Sequence, residues 1–321
     1  MKVTIIGGAG GMGRWFAEFF KENGVEVRIV DKSPETKAIA NQIGVAFLNT
    51  NILNVTEDEA AVNEEIVNTD VLLVSVPIDI TGRVIERVGP KMHEDSLLMD
   101  ITSVKKMPVE MMQKFTTENV EILGTHPLFG PTAKSMRGQT IVFVPSRKFG
   151  RLYKEVDTMF RRNGAKIEVL TAEEHDETMS VIQGLTQFIL LAFGITLKEL
   201  DFDVEKSRKL MSPMYEILMD FVGRLLHQDP HLYALIQANF EMGEIHESFL
   251  TVANRLYELV SAGEVEAFME EMREAKKHFG DMETERAMTD SDRVIEDKIN
   301  LSLCGAPPYD PASPVGAYKK V

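Results

Sequence analysis

The segment Gly8-Ala9-Gly10-Gly11-Met12-Gly13 constrains this chain more than any other, because it fits G-x-G-x-x-G between a β-rich run and an amphipathic stretch. Val3–Gly7 before it reads as a strand. After it, Trp15 with Phe19 and Phe16 with Phe20 recur at i, i+4, the repeat of one helix face, and Gly24 supplies a C-terminal stop. In such a strand–turn–helix, Gly8 permits the tight turn, Gly10 lets the backbone approach a pyrophosphate, and Gly13 lets the helix pack closely on the strand. Ala9, Gly11 and Met12 complete the loop that opens the helix, whose N-terminus carries partial positive charge for phosphates. The pattern alone is weak, and a glycine turn without a ligand is the competing reading. Here an acid, Asp31, ends the next predicted strand. There it accepts hydrogen bonds from a ribose 2′-hydroxyl and repels a 2′-phosphate, so the expected cofactor is NAD; only the neighbouring Lys32 argues for NADP.

The alternation that begins here continues. Strands are expected at Val25–Val30, Val45–Leu48, Val71–Val76, Ser96–Ile101, Val120–Gly124, Thr140–Val144 and Lys166–Leu170, with helical patterns between most of them. Several are near-continuous apolar runs, as in a sheet covered on both faces. The expectation is a doubly wound α/β nucleotide-binding domain over residues 1–170. After Leu170 the β signal stops. Thr171-Ala172-Glu173-Glu174 reads as a capping box opening a helix to about Leu200. That helix is apolar nearly all round, which burial in a subunit interface explains. An all-α substrate and dimerisation domain is therefore expected over 171–285, making a homodimer. Residues 286–321 are expected to form a tail, with Gly305–Val321 rich in Pro, Gly and Ala.

Composition narrows the partners. A chain of 321 residues suits two domains, and 44% apolar with 26% charged residues is the balance of a soluble protein. A net charge of −15 repels a phosphate backbone, so no nucleic-acid partner is expected. The sole cysteine, Cys304, forms no internal disulfide, which suits a reducing cytosol. The N-terminus lacks the apolar stretch of a signal peptide, and the run Phe188–Leu197 is too short to cross a bilayer, so a cytoplasmic protein without a membrane partner is expected. The eighteen methionines lie on apolar faces as core filler, and no ligand spacing suggests a metal.

Three segments fall at the carboxyl ends of strands, where ligands bind in open α/β sheets. Ser75-Val76-Pro77 lies beside the nicotinamide half of the crevice or is simply a turn. The others are Asp100-Ile101-Thr102-Ser103-Val104-Lys105 and Gly124-Thr125-His126-Pro127-Leu128-Phe129-Gly130-Pro131. His126, at a strand end and fixed by a proline, faces a crevice or is a capping histidine on equal terms.

Together, the dinucleotide fingerprint, Ser-Val-Lys and Gly-x-His-Pro-Leu-Phe-Gly-Pro resemble the prephenate dehydrogenase family. The similarity continues through Glu174-His175-Asp176, Ser212-Pro213-Met214-Tyr215 and Val222-Gly223-Arg224-Leu225, roughly residues 1 to 280. The resemblance implies NAD-dependent oxidative decarboxylation of prephenate to 4-hydroxyphenylpyruvate, in tyrosine biosynthesis. By it, neutral His126 hydrogen-bonds the substrate 4-hydroxyl and takes its proton, and Ser103 shares that network. Lys105 and Arg224 bind the substrate carboxylates. Arg224 has a second reading, since Glu216, Asp220 and Arg224 at i, i+4, i+8 also describe a solvated ion-paired stripe. Some relatives carry a second histidine in the long helix near the substrate, where this chain offers Gln187. Arogenate is the alternative substrate. A non-catalytic NAD-binding sensor is the alternative of another class, but it has no use for Ser103, His126 and Lys105 together.

Overall fold

The computed structural model describes residues 1–54, 59–147 and 149–303; Cys304 and the Gly305–Val321 stretch lie outside the described residues. The chain forms β1 (Lys2–Ile6), α1 (Gly11–Glu22), β2 (Glu26–Asp31), α2 (Thr36–Ile43), β3 (Ala46–Asn49), α3 (Glu59–Val67), β4 (Val71–Val74) and α4 (Ile78–Val88). These are followed by β5 (Leu97–Asp100), α5 (Lys106–Phe115), β6 (Glu121–Pro127), β7 (Thr140–Arg147), α6 (Arg151–Arg162) and β8 (Lys166–Val169). Only helices come after β8 among the described residues: α7 (Ala172–Met179), a π turn (Ser180–Leu185), α8 (Thr186–Glu199), α9 (Val204–Ser207), α10 (Pro213–Leu226), α11 (Pro230–Asn239), α12 (Gly243–Ala262), α13 (Val265–Phe279) and α14 (Asp281–Leu303).

The eight strands form one sheet in the order β3-β2-β1-β4-β5-β6-β7-β8, parallel throughout except for the β6–β7 pair. The chain winds outward from β1 to β3, then returns to β4 on the other side of β1. That reversal opens a crevice at the carboxyl ends of β1 and β4, the position where doubly wound sheets take ligands. The apolar runs are explained by the two-residue period of a strand. Val71 and Leu73 pack with Phe16, Phe20 and Phe160 on one face, while Leu72 and Val74 pack with Val62, Val84, Ile85 and Met112 on the other.

The antiparallel β7 has a direct effect on the site. It pairs His126 with Val142 and Pro127 with Ile141, so β6 runs on through residues expected to lie beyond its end.

The chain divides into two compact units that do not break at residue 170. The first holds residues 1–188 together with 229–245, because Met179, Ile236, Phe240 and Met242 bury with Ile78 and Val104 in a small third core. The second begins with 189–228 and resumes at 246. The capping box forms as expected: Glu174 N donates to Thr171 Oγ1 at 3.1 Å and Thr171 N to Glu174 Oε2 at 2.9 Å. Two expectations change. Residues 281–303 are helical, so the tail does not start at 286; α14 is held to α10 by Lys298, which pairs with Glu216 and Asp220. The π turn also keeps α7 and α8 in one 28-residue helix, Ala172–Glu199, long and apolar enough by length and composition to cross a membrane, with only 11% of its most apolar stretch buried.

Candidate active site

The glycine loop is shaped by contacts that exclude a Cβ. Gly7 has φ +83°, and a Cβ there would fall 2.1 Å from the Ser75 carbonyl oxygen. The left-handed turn therefore belongs to Gly7, not to Gly8. Gly8 is small for another reason: its Cβ would fall 2.5 Å from Cβ of Ile29. At Gly13 the obstacle is the Gly7 carbonyl oxygen at 2.2 Å, which is the close helix–strand approach the motif requires. Gly10, in contrast, meets nothing nearer than 3.3 Å. It forms the open lip of the loop at the N-cap of α1, a helix N-terminus suited to an anion. The Asp31 carboxylate accepts from Ala9 N at 3.0 Å and from Ser33 N at 2.9 Å. Each of its oxygens keeps a lone pair for a diol. Ser75 and Val76 are half-buried after β4, and Pro77 is the N-cap of α4; the Gly7–Ser75 approach puts this segment against the loop.

The segment after His126 lies across the same loop. A Cβ on Gly11 would meet Pro131 at 3.1 Å, Trp15 Nε1 donates to the Ala133 carbonyl at 2.8 Å, and the Trp15 and Phe129 rings lie 4.9 Å apart. The structure thus brings the glycine loop and the histidine-bearing segment together within one unit.

His126 is 3% exposed and sits in β6. Its Nδ1 lies 2.8 Å from Nε2 of His175, whose Nδ1 lies 2.7 Å from Oδ1 of Asp176. Burial, then the neighbouring His175 and the Lys105 ammonium, push the His126 pKa well below 6.5. A neutral, proton-accepting imidazole is therefore available at physiological pH. His175 is shifted down as well, first by burial, against the pull of Asp176. Burial raises Asp176, but the hydrogen bonds from His175 and from the Lys106 and Lys105 amides outweigh it and leave the carboxyl below its ordinary value.

The remaining expected residues divide. Ser103 is half-buried in the turn after β5. Lys105 requires a correction: it is fully buried, its ammonium donating to the Asp100 carboxylate, to the Thr125 carbonyl at 2.8 Å and to Thr102 Oγ1 at 3.3 Å. An ammonium has three hydrogens, so none remains for a substrate carboxylate. The lysine instead joins the end of β5 to β6 beside His126. Gln187 lies near the start of α8, its Oε1 buried without a hydrogen-bond partner among the described residues. Arg224 lies on α10 of the second unit.

In the sequence, His175 and Asp176 stand out only as part of the tripeptide Glu174-His175-Asp176. The local signal was an apolar-face position filled by a histidine directly after a capping box, a pattern that fits many surface helices. Only β7, by extending β6, reveals that His126 reaches it.

Comparison with known proteins identifies the family. A family model described as prephenate dehydrogenase, nucleotide-binding domain, matches residues 16–169, and one described as prephenate dehydrogenase, dimerization domain, matches residues 171–274. A probable arogenate/prephenate dehydrogenase of Methanocaldococcus jannaschii is 39% identical over 299 residues, covering 92% of this chain and 64% of that protein. The chain thus spans less than two thirds of that relative's length. The T-protein of Haemophilus influenzae is 30% identical over 301 residues, 94% of this chain and 72% of its own. The crystal structure of prephenate dehydrogenase from A. aeolicus, in complex with hydroxyphenyl propionate and NAD+, has a TM-score of 0.69 over 87% of this chain and 96% of that one. At 21% identity that likeness concerns the fold. With both family models matched in succession and a relative 30% identical covered over 72% of its length, the chain belongs to the prephenate dehydrogenase family.

Proposed function

We propose that this protein is an NAD-dependent prephenate dehydrogenase of tyrosine biosynthesis, forming 4-hydroxyphenylpyruvate and CO₂. The observation that carries the reading is His126, a buried imidazole with a depressed pKa, in the segment packed on the glycine loop. NAD fits the loop: Gly10 leaves an open approach at a helix N-terminus, and Asp31 is positioned by Ala9 N to accept a ribose diol. Bound NAD supplies the hydride acceptor. The protein's own contribution is to accept the proton of the 4-hydroxyl on His126 as C4 is oxidised, with Ser103 in the same hydrogen-bond network. Loss of CO₂ then aromatises the ring. Arg224 is the proposed partner of a substrate carboxylate, by a bidentate fork, and Gln187 a proposed polar contact. Self-association through the helical half, as a homodimer in the cytosol, completes the reading.

Arogenate oxidation is the second reading, favoured by the name of the M. jannaschii relative, which includes both substrates. The test is NADH formation by purified protein, followed by near-ultraviolet absorbance, with prephenate or arogenate and with NAD or NADP. Turnover with prephenate and NAD supports the proposal. A large kcat/KM preference for arogenate replaces the substrate, and NAD binding without turnover of either replaces the reaction.

A further inference from the structure

Asp176 fixes the direction in which protons run along the His126–His175–Asp176 row. Its Oδ1 accepts from Lys105 N at 2.7 Å and its Oδ2 from Lys106 N at 2.9 Å, the amides at the start of α5. Both oxygens are thus acceptors already, and the carboxyl is held ionised. An ionised Asp176 can only accept from His175, so His175 carries its proton on Nδ1. In the neutral ring Nε2 is then a lone pair, and across 2.8 Å it can only accept from His126 Nδ1. That places the His126 proton on Nδ1 and leaves Nε2 as the basic nitrogen.

We propose that Asp176 and His175 form a relay that sets the tautomer of His126, holding Nε2 as the acceptor before substrate arrives. The catalytic consequence rests on the dehydrogenase reading above, while the tautomer itself does not. His175 is then a positioning residue: it fixes the ring through Nδ1, and Asp176 serves twice, orienting His175 and tying the start of α5 to α7. The charged or titratable groups around the row are Lys105, Asp100 and Asp176, with the two imidazoles. Lys105 and Asp100 neutralise each other in a fully buried pair, so among the described residues Asp176 is the ionic anchor of the row. Without it, a buried histidine is free to adopt either tautomer, and the Nε2–H form has no lone pair to take a hydroxyl proton.

Ring ¹⁵N chemical shifts of histidine-labelled protein report the tautomer directly, with signals assigned by loss in His126→Asn and His175→Gln variants. Nδ1 of His126 is expected to be protonated and Nε2 bare in the wild-type protein. His175→Gln, whose Oε1 can still accept from Nδ1, is expected to retain kcat within about tenfold. His175→Leu is expected to lower kcat by about 10²–10⁴, the range for losing a correctly presented base, with NAD affinity unchanged. A wild-type His126 protonated on Nε2, or a His175→Leu enzyme with unaltered kcat and pH profile, overturns the relay. Should the wild-type protein turn over neither substrate yet show the expected tautomer, the relay stands and the reaction assignment falls.

Discussion

Every residue of β4 is buried under helices of the same unit, Val71, Leu72, Leu73 and Val74 all at 0% exposure, whereas α12 and α13 bury none of theirs. Leu250, Tyr257, Val260 and Met272 are all exposed on those two helices. The sheet unit completes its core within one chain, but the helical unit leaves apolar area that the described residues do not cover. Apolar surface on this scale marks a contact with another protein surface, and the matched model for residues 171–274 is described as a dimerization domain. The contrast teaches that stability in this chain has two origins, one independent of protein concentration and one linked to it.

Substitutions can break or sharpen that contrast. The largest expected effect belongs to the sheet unit: His126→Asn lowers kcat by about 10²–10⁴ while NAD affinity, measured by titration, is retained. Wild-type turnover from this variant would remove the histidine from the mechanism. Lys105→Met leaves the Asp100 charge buried without its partner and is expected to destabilise the fold by about 3–5 kcal/mol in chemical denaturation. Phe160→Ala, at 0% exposure among Phe16, Phe19 and Phe20, costs a similar amount, about 3–5 kcal/mol, at every protein concentration. In the helical unit, Leu250→Asp with Val260→Asp is expected to reduce the sedimenting mass from two chains to one; an unchanged mass would place self-association elsewhere.

The smaller effects concern binding and pH. Arg224→Ala is expected to raise KM for prephenate tenfold or more, since a hydrogen bond to a charged group contributes about 1.5–3 kcal/mol. An unchanged KM restores the solvated-stripe reading, in which Arg224 merely continues the row of Glu216 and Asp220 that Lys298 partly covers. The acid limb of kcat/KM should lie below pH 6.5, because burial holds His126 neutral. Stability follows the same sign: below pH 6.5 the unfolded chain binds a proton that folded His126 does not, so stability falls with acid until the folded pKa is reached. A limb above pH 6.5 would contradict the depressed value.

Much of the fold was legible because its causes are local. All eight strands lie where β-rich runs predicted them, since alternation and turn glycines are written into neighbouring residues. What escaped depends on contacts distant in sequence. The left-handed glycine is Gly7 instead of Gly8 because the carbonyl of Ser75 lies where a side chain would be. Lys105 looks like a ligand for an anion until Asp100 and Thr125 are seen to occupy it. His175 has no distinctive spacing and gains its meaning only from β7. The π turn at Ser180–Leu185 likewise leaves no pattern in the residues that form it.

Trp15 is the sole tryptophan of the chain, and it stands where the glycine-loop helix meets the segment following His126. Its indole is stacked on Phe19, edge-on to Phe129, and hydrogen-bonded to the Ala133 carbonyl. The molecule thus carries an intrinsic optical reporter at the junction between its glycine-loop helix and the segment that follows His126. Any displacement of residues 129–133 alters both the polarity around the indole and its hydrogen bond. Tryptophan emission from the unlabelled protein therefore reads this one junction with no background from a second fluorophore of its kind, in real time, during a single binding event.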